Sequence, residues 1–208
     1  MRKIKAHFCV CCDLQTDVDV FDTHAPVASW QSIQMLTVTA LQNNWSMQQV
    51  DFSNAFVHAP MNRNVCISLP QMFGNYNGIP AKELCLKLNK SLCGLRKAPK
   101  LWHDFLAKGL TNAGFQPSKT DPGVFHGHVM AIAVYVDDVL FFGPDAAEMK
   151  KVVADLKLAG FELKIEKATE QASFDFLGIH IDRVIQDGVP VIKMTQLGLI
   201  KKFWILWA

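Results

Sequence analysis

The chain has 208 residues, 50% of them hydrophobic and 19% charged, which is typical of a folded protein and excludes an intrinsically disordered one. Its formal net charge of +2 neither demands nor excludes a nucleic-acid partner. No stretch approaches the roughly 20 apolar residues of a membrane span. The N-terminal apolar run is cut off at Asp13, too early for a signal peptide, so an intracellular location is expected.

The cysteines do not complete a zinc-finger pattern, because no His-x₃₋₅-His pair follows them. A metal site formed by Cys9, Cys11 and Cys12 beside His7 is a less favoured alternative. Reduced thiols that behave as small apolar side chains of an intracellular protein are expected instead.

Hydrophobic periodicity divides the first half of the chain into short strands and two helices. Ser29 is the predicted N-cap of the first helix, and Asn43 its end. Asp51 ends a strand, a position where active-site carboxylates are often found. The commoner explanation is an Asp without catalytic function that precedes a helical turn, here the turn that starts at Ser53 or Asn54. The predicted strands are residues 4–12, 47–51, 64–69 and 83–88, and the predicted helices are residues 27–41 and 102–113.

A basic loop lies before the second of these helices, with Lys90, Arg96, Lys97 and Lys100 close together. Cationic side chains and free backbone N–H groups at a helix entry suit phosphate groups. Gly94, in the same loop, would let a backbone or a base come close. The alternative is an ordinary solvated face, which most charge clusters are.

Two adjacent carboxylates, Asp137 and Asp138, lie between two short apolar runs within residues 130–143. The pattern predicts two buried strands joined by a tight turn with the acidic pair at its tip. No Lys, Arg or His lies between Ala131 and Asp145, so a compensating charge must come from elsewhere in the chain or from a cation such as Mg²⁺. The alternative is a turn whose Asp side chains bond nearby backbone N–H groups.

The remaining pattern predicts a helix over residues 146–159 and strands over residues 161–165, 174–181 and 189–194, the last after an Asp187-Gly188 hairpin turn. Strand, helix, hairpin, helix and strand is the order of a ferredoxin-like, split βαβ sheet, so the predicted fold class is α+β with helices on one face. In that topology Asp51 lies beside Asp137. Three carboxylates there would suit two Mg²⁺ ions ~3.5–4 Å apart and phosphoryl or nucleotidyl transfer.

Five motifs, in order, resemble the reverse transcriptase of copia-type long-terminal-repeat retrotransposons (Pseudoviridae). They are Gln49-Val-Asp-Phe-Ser-Asn-Ala-Phe56, Leu88-Asn-Lys-Ser-Leu-Cys-Gly-Leu-Arg-Lys-Ala-Pro-Lys-Leu-Trp102, Asp121-Pro122, Tyr135-Val-Asp-Asp138 and Phe176-Leu-Gly-Ile179. The similarity extends from about residue 2 to residue 200. It implies an RNA-directed DNA polymerase with the fingers and palm of a right-hand polymerase.

The resemblance also implies a domain organisation. Residues 1–46 and 61–93 would form the fingers, residues 47–60 and 94–182 the palm, and residues 183–208 the start of a truncated thumb or connection. The match fades past Gln196, so the thumb is expected to be largely missing. The RNase H and integrase regions of such a polyprotein are expected to be absent from this chain.

The same resemblance implies roles for individual residues. Asp51, Asp137 and Asp138 would be the catalytic carboxylates and would hold two Mg²⁺ ions, or Mn²⁺, with the Phe52 carbonyl as a further ligand. Phe52, Phe56, Gly94 and Lys97 would contact the deoxynucleoside triphosphate. The aromatic Phe56 would lie under its sugar, where it would clash with a 2′-OH. An RNA or DNA template with its primer would meet Arg96, Tyr135, Leu177 and Gly178.

Departures from the family pattern keep two alternatives open. The family usually has a basic residue at His7, a basic residue and Gly at Cys11 and Cys12, Tyr at Cys93 and Gln at Lys97. A catalytically inactive, truncated remnant that retains the fold is therefore the first alternative. A nucleic-acid-binding module without chemistry is the second, and the acidic hairpin argues against it because acids repel phosphate unless metals intervene.

Overall fold

The computed structural model describes residues 8–11, 23–70, 73–127, 129–168, 173–198 and 200. The chain divides into two compact units. The first unit comprises Met1–Ala25 and Asn54–Phe105, and the second comprises Pro26–Ser53 and Leu106–Ala208. Each unit therefore combines two stretches of chain that are separated in sequence.

The helices and strands follow one another along the chain as expected for an α+β protein. The helices with both ends described are α1 (Trp30–Gln42), α2 (Ala98–Asn112) and α3 (Ala146–Leu158). The strands are β1 (Ser46–Phe52), β2 (Cys66–Ser68), β3 (Cys85–Lys87), β4 (Gln116–Pro117), β5 (Val124–Gly127), β6 (Met130–Tyr135), β7 (Asp138–Gly143), β8 (Leu163–Ala168), β9 (Ser173–Phe176), β10 (Ile179–Gln186) and β11 (Val189–Thr195).

The second unit is built on a six-stranded sheet with the order β4-β5-β6-β7-β1-β8. Its neighbouring strands are antiparallel throughout. The four strands β6, β7, β1 and β8 lie in the order that a split βαβ unit produces, with α2 and α3 as its two helices. β1 is thus a central strand, paired on both sides, although its partner residues lie about 90 to 120 positions later in the chain.

The two faces of this sheet are covered by different elements, because successive side chains of a strand alternate between faces. Met47 of β1 belongs to a buried cluster with residues of α1, such as Ile33, and of the second, three-stranded sheet β11-β10-β9, such as Phe174. Phe52 is buried on the other face and meets Phe161 edge to face, at 5.8 Å between ring centroids.

Helix α1 begins where the sequence predicts. The Ser29 hydroxyl accepts a hydrogen bond from the backbone N–H of Ser32, and Asn43 ends the helix. A long-range contact reinforces this start: Asp121 accepts hydrogen bonds from the Ser29 N–H at 2.9 Å and the Ser32 hydroxyl at 2.6 Å. Asp121 also accepts one from the Gly123 N–H at 3.1 Å, so one carboxylate joins α1 to the loop before β5.

The first unit contains a smaller sheet, the two-stranded ribbon β2–β3. These strands lie within the predicted residues 64–69 and 83–88 but have only three residues each. The helical turn predicted after Asp51 is present as a 3₁₀ turn, Ala55–His58. Of the strand predicted over residues 4–12, only residues 8–11 are described, and they have no regular secondary structure; the other residues lie outside the described part.

Several predicted elements differ from the structure, and the strand predicted over residues 161–165 lies at Leu163–Ala168 as β8. Residues 174–181 form two strands, not one, because Leu177 (φ +52°) and Gly178 (φ +77°) adopt the left-handed conformations of a two-residue hairpin turn. Helix α2 begins at Ala98, four residues before the prediction, since a proline at its second position is compatible with a first helical turn. The tip of the central hairpin is Val136-Asp137 rather than the acidic pair, because Asp138 already pairs with Tyr135 as the first residue of β7.

Candidate active site

Four side chains form a row across one end of the large sheet. The register pairs Tyr135 of β6 with Asp138 of β7, Asp138 with Asp51 of β1, and Asp51 with Lys164 of β8. Directly opposed residues of antiparallel strands project to the same face, with Cβ atoms about 5 Å apart. Asp51 and Asp138 are half-buried, while Tyr135 and Lys164 are exposed. The row therefore places two carboxylates next to each other with a cation on one side.

The backbone at this end of β1 is joined to both neighbouring strands. The Phe52 N–H donates to the Asp137 carbonyl at 3.1 Å, and the Ser53 N–H donates to the Glu162 carbonyl at 2.9 Å. The Phe52 ring packs on the opposite face, against Phe161, so only its backbone can act on the face of Asp51. These bonds fix the position of Asp51 relative to the turn that carries Asp137.

The turn beside the carboxylates has a strained conformation. Val136 has φ +58°, a left-handed value that a β-branched residue rarely adopts and that costs about 1–3 kcal/mol. Such residues occur mainly where the surrounding structure holds them and where the strained backbone has a function. Asp137, the second residue of the turn, is exposed, and its carboxylate is the most accessible of the three.

Like charges directly opposite each other destabilise a sheet, so the pair Asp51 and Asp138 requires a nearby positive charge. The register places Lys164 directly opposite Asp51, and the sequence prediction missed it because β8 follows the hairpin by some twenty residues and only the pairing of β1 with β8 brings it there. Among the described residues, no three Asp, Glu, His or Cys side chains lie close enough together to hold a metal ion. The carboxylate oxygens of Asp51 and Asp138 nevertheless suit Mg²⁺. This ion commonly binds one or two carboxylates and completes its coordination shell with water or phosphate oxygens.

The other predicted site residues of the second unit are Leu177 and Gly178. They form the turn between β9 and β10, where Leu177 packs against the buried cluster that contains Phe174. Gly178 is exposed and a side chain there would meet no other atom within 4 Å. Its conformation, φ +77°, is the reason for a glycine at this position.

Four predicted site residues belong to the first unit. Phe56 is half-buried in the 3₁₀ turn Ala55–His58, Arg96 is exposed, and Lys97 is half-buried just before α2. Gly94 has φ +92°, and a Cβ on it would overlap the carbonyl oxygen of Val10. The prediction that a backbone approaches Gly94 closely is thus confirmed, and the approaching backbone is a segment of the same chain.

The described cysteines differ from the prediction in their burial. Cys9, Cys11, Cys66, Cys85 and Cys93 are all free thiols, as expected, but each is exposed rather than packed as a small apolar side chain. They lie in residues 8–11, in the ribbon β2–β3 and in the loop before α2. The metal site considered at Cys9, Cys11, Cys12 and His7 includes two residues outside the described part.

The fold and this site define a mixed α/β protein that displays paired carboxylates at the end of an antiparallel sheet. Residues 3–204 match the family model for reverse transcriptase (RNA-dependent DNA polymerase). The chain therefore belongs to the reverse transcriptase family, and its relatives are Pol polyproteins of copia-type retrotransposons.

Three of these relatives show the extent of the similarity. The Retrovirus-related Pol polyprotein from transposon RE2 of Arabidopsis thaliana is 30% identical over 173 residues, which are 81% of this chain and 11% of that protein. The corresponding protein from transposon TNT 1-94 of Nicotiana tabacum is 26% identical over 71% of this chain and 11% of its own length. The truncated transposon Ty1-A Gag-Pol polyprotein of Saccharomyces cerevisiae is 27% identical over 85% of this chain and 15% of its own. The chain thus spans 11–15% of the length of these relatives.

Among solved structures, telomerase from Candida albicans in complex with a fragment of telomeric RNA aligns with 84% of this chain and 35% of its own, at 10% identity and a TM-score of 0.45. Telomerase from Candida tropicalis aligns with 81% of this chain and 40% of its own, at 11% identity and a TM-score of 0.42. In the described part of the chain, no helix is both long and apolar enough to cross a lipid bilayer.

Proposed function

We propose that this chain is the RNA-directed DNA polymerase domain of a copia-type Pol polyprotein and extends a primer on a nucleic-acid template by nucleotidyl transfer. The observation that carries the proposal is the direct pairing of Asp51 with Asp138 across β1 and β7, beside the strained turn at Val136, in a chain of the reverse transcriptase family. Opposed carboxylates are unfavourable without a cation, so the arrangement favours a metal-binding role.

Asp51, Asp137 and Asp138 would hold two Mg²⁺ ions, with Mn²⁺ as a substitute and the Phe52 carbonyl as a further ligand. The metal ions would stabilise the charge on the attacking and leaving oxygens of the transferred phosphate. The chain's own contribution is to fix the carboxylates: the register sets Asp51 against Asp138, and the hydrogen bond from Phe52 to the Asp137 carbonyl sets the turn.

The remaining roles are proposed from the resemblance of the motifs to those of the family. Phe56, Gly94 and Lys97 would contact the deoxynucleoside triphosphate, with Phe56 excluding a 2′-OH. Arg96 and Tyr135, with the turn Leu177-Gly178, would contact the template and the primer. The fingers would comprise residues 1–46 and 61–93, the palm residues 47–60 and 94–182, and the beginning of a thumb residues 183–208.

A second candidate is a catalytically inactive member that keeps the fold. It is favoured by the departures at His7, Cys11, Cys12, Cys93 and Lys97 from the usual family residues. Nucleotide binding depends on contacts between basic residues and phosphate groups, so the loss of basic residues would lower the affinity for the nucleotide. Full primer extension at micromolar deoxynucleotide would contradict this candidate.

Primer extension on an RNA template with a DNA primer tests the proposal. The wild-type chain in Mg²⁺ or Mn²⁺ should extend the primer, and Asp138→Asn or Asp137→Asn should reduce the rate by about a hundredfold or more, because one oxygen ligand loses its charge. Asp187→Asn, which changes a carboxylate in the turn between β10 and β11, is the matched control and should keep the wild-type rate. Undiminished extension by Asp138→Asn would refute the mechanism, and a folded wild-type chain that does not extend would favour the inactive candidate.

A further inference from the structure

The first unit carries exposed cysteines whose thiols lie near each other in pairs. The Cys9 thiol lies near enough to Cys93 to raise the pKa of Cys93, and the Cys66 thiol likewise raises the pKa of Cys85. Cys66 and Cys85 are diagonal neighbours on one face of the ribbon β2–β3, because Cys66 lies opposite Lys87 and Cys85 opposite Ser68. Cys9 and Cys93, in contrast, join two segments that are far apart in the sequence.

The backbone holds Cys9 and Cys93 together independently of their thiols. The Val10 N–H donates to the carbonyl oxygen of Cys93 at 2.8 Å. The next residue, Gly94, lies so close to Val10 that any Cβ would overlap the Val10 carbonyl oxygen. A disulfide forms without backbone movement only when the two Cα atoms are within about 7 Å and the Cβ atoms face each other. The backbone hydrogen bond between Val10 and Cys93 and the close approach of Gly94 to Val10 hold the two cysteine-bearing segments side by side, as such a cross-link needs.

We propose that Cys9 and Cys93 are a reversible disulfide site, which cross-links residues 8–11 to the loop at Gly94 when the chain is oxidised by a small disulfide such as glutathione disulfide. The site is independent of whether the chain is a polymerase.

The reaction is thiol–disulfide exchange in two steps. The Cys9 thiolate attacks one sulfur of glutathione disulfide, whose S–S bond breaks, and one glutathione leaves with the electron pair and takes up a proton. The Cys93 thiolate then attacks the Cys9 sulfur of the mixed disulfide and releases the second glutathione. Two protein thiols have lost two protons and two electrons, and one glutathione disulfide has become two glutathione molecules.

The surroundings favour Cys9 as the attacking thiol. The hydrogen bond with Cys9 and partial burial raise the pKa of Cys93, so Cys93 keeps its proton more firmly than an ordinary thiol. Cys9 also borders a cavity of about 720 Å³, together with Cys11, Cys66 and Leu95, and this volume is in the range of small-molecule sites. The order of attack is therefore Cys9 first and Cys93 second.

Peptide mapping of the full chain tests the site. The purified protein is equilibrated with graded ratios of glutathione disulfide to glutathione, and the remaining thiols are blocked at low pH. The protein is then digested, and the peptide masses are measured by mass spectrometry. We expect one peptide pair joined through Cys9 and Cys93, lighter by two hydrogen atoms, and reversed by dithiothreitol. The oxidised chain should also have a higher Tm, since the cross-link restricts the unfolded chain.

Variants separate this site from general cysteine oxidation. Cys93→Ser should lose the cross-link and leave Cys9 as a mixed disulfide with glutathione, whereas Cys11→Ser, at a neighbouring exposed thiol, should keep the cross-link. Cys9→Ala provides a second test if Cys93→Ser does not fold. The proposal is overturned if wild-type Cys9 joins Cys11, Cys12 or Cys66 instead, or if Cys9 and Cys93 each carry a separate glutathione.

Discussion

At the scale of single residues, Lys164 is the charged neighbour of the carboxylate pair in the sheet register. It lies directly opposite Asp51 in the sheet register, and Asp51 lies opposite Asp138. A cation at this place offsets the repulsion between the two carboxylates when no metal is bound. If the carboxylates hold Mg²⁺ as we propose, the same positive charge would weaken metal binding, because like charges repel.

We therefore expect Lys164→Gln to bind Mg²⁺ about threefold to tenfold more tightly than the wild type, since one positive charge next to the carboxylates is removed. Calorimetric titration of the metal-free chain with Mg²⁺ measures the affinity. Lys164→Arg, which keeps the charge, and Lys157→Gln, which removes an exposed charge from α3, should both retain the wild-type affinity. Unchanged or weaker binding by Lys164→Gln would show that Lys164 does not act on the carboxylate pair.

At the scale of elements, helix α1 is held by one acidic side chain from a distant loop. Burial alone would raise the pKa of Asp121, but hydrogen bonds from the Ser32 hydroxyl, from Ser29 and from the Gly123 N–H outweigh burial and lower it. The charged form of Asp121 therefore stabilises the folded state. This interaction satisfies the Ser29 N–H at the start of α1, which has no partner within the helix.

Asp121→Asn should lower the free energy of unfolding near neutral pH by about 1–2 kcal/mol, because hydrogen bonds to a charged acceptor are replaced by weaker ones. The pKa of Asp121 is lower in the folded than in the unfolded state, so its contribution is complete above the unfolded value of about 3.9 and is lost as the pH falls through the folded value. Urea unfolding of wild type and variant between pH 7 and pH 2.5 should show a stability difference that shrinks at the acidic end. Asp155→Asn, at an exposed position of α3, is the control, and a pH-independent difference would contradict this account.

At the scale of the whole molecule, the strands of the large sheet and of the ribbon differ in how they are supported. β1 and β7 pair on both sides and bury Val50, Val139 and Leu140 almost completely. The ribbon β2–β3 has two strands of three residues, and no side chain in it is fully buried. Two isolated strands are marginally stable, whereas a central strand exchanges its amides only when much of the unit opens.

Hydrogen–deuterium exchange followed by mass spectrometry should reveal this difference. Peptides from β1, β6 and β7 should be protected by several orders of magnitude, and peptides from β2 and β3 should exchange within seconds to minutes after correction for intrinsic rates. Equal protection of β1 and of the ribbon would contradict the expectation. Oxidation of the Cys9–Cys93 pair leaves the prediction for the large sheet unchanged, because both cysteines belong to the first unit.

The local features of the chain were predictable from the sequence because they depend on residues a few positions apart. Ser29 as the N-cap of α1, Asn43 at its end and the Asp187-Gly188 turn are each set by the side chains and backbone freedom of one or two residues. The order of helices and strands around the acidic hairpin is set by hydrophobic periodicity in the same local way. The family motifs could also be recognised in the sequence, because each consists of neighbouring residues.

Tertiary structure decided three features: which residues form the carboxylate row, where the tip of the central hairpin lies, and how exposed the cysteines are. Strand register depends on pairing between distant segments of the chain. A pattern of alternating residues therefore does not predict which residue lies opposite Asp51. The pairing of β1 with β8 places Lys164 there. The turn lies at Val136-Asp137 because Asp138 pairs with Tyr135, even though this strains Val136. The sequence by itself thus determined the elements and the acidic motif, while long-range pairing determined which side chains share the site.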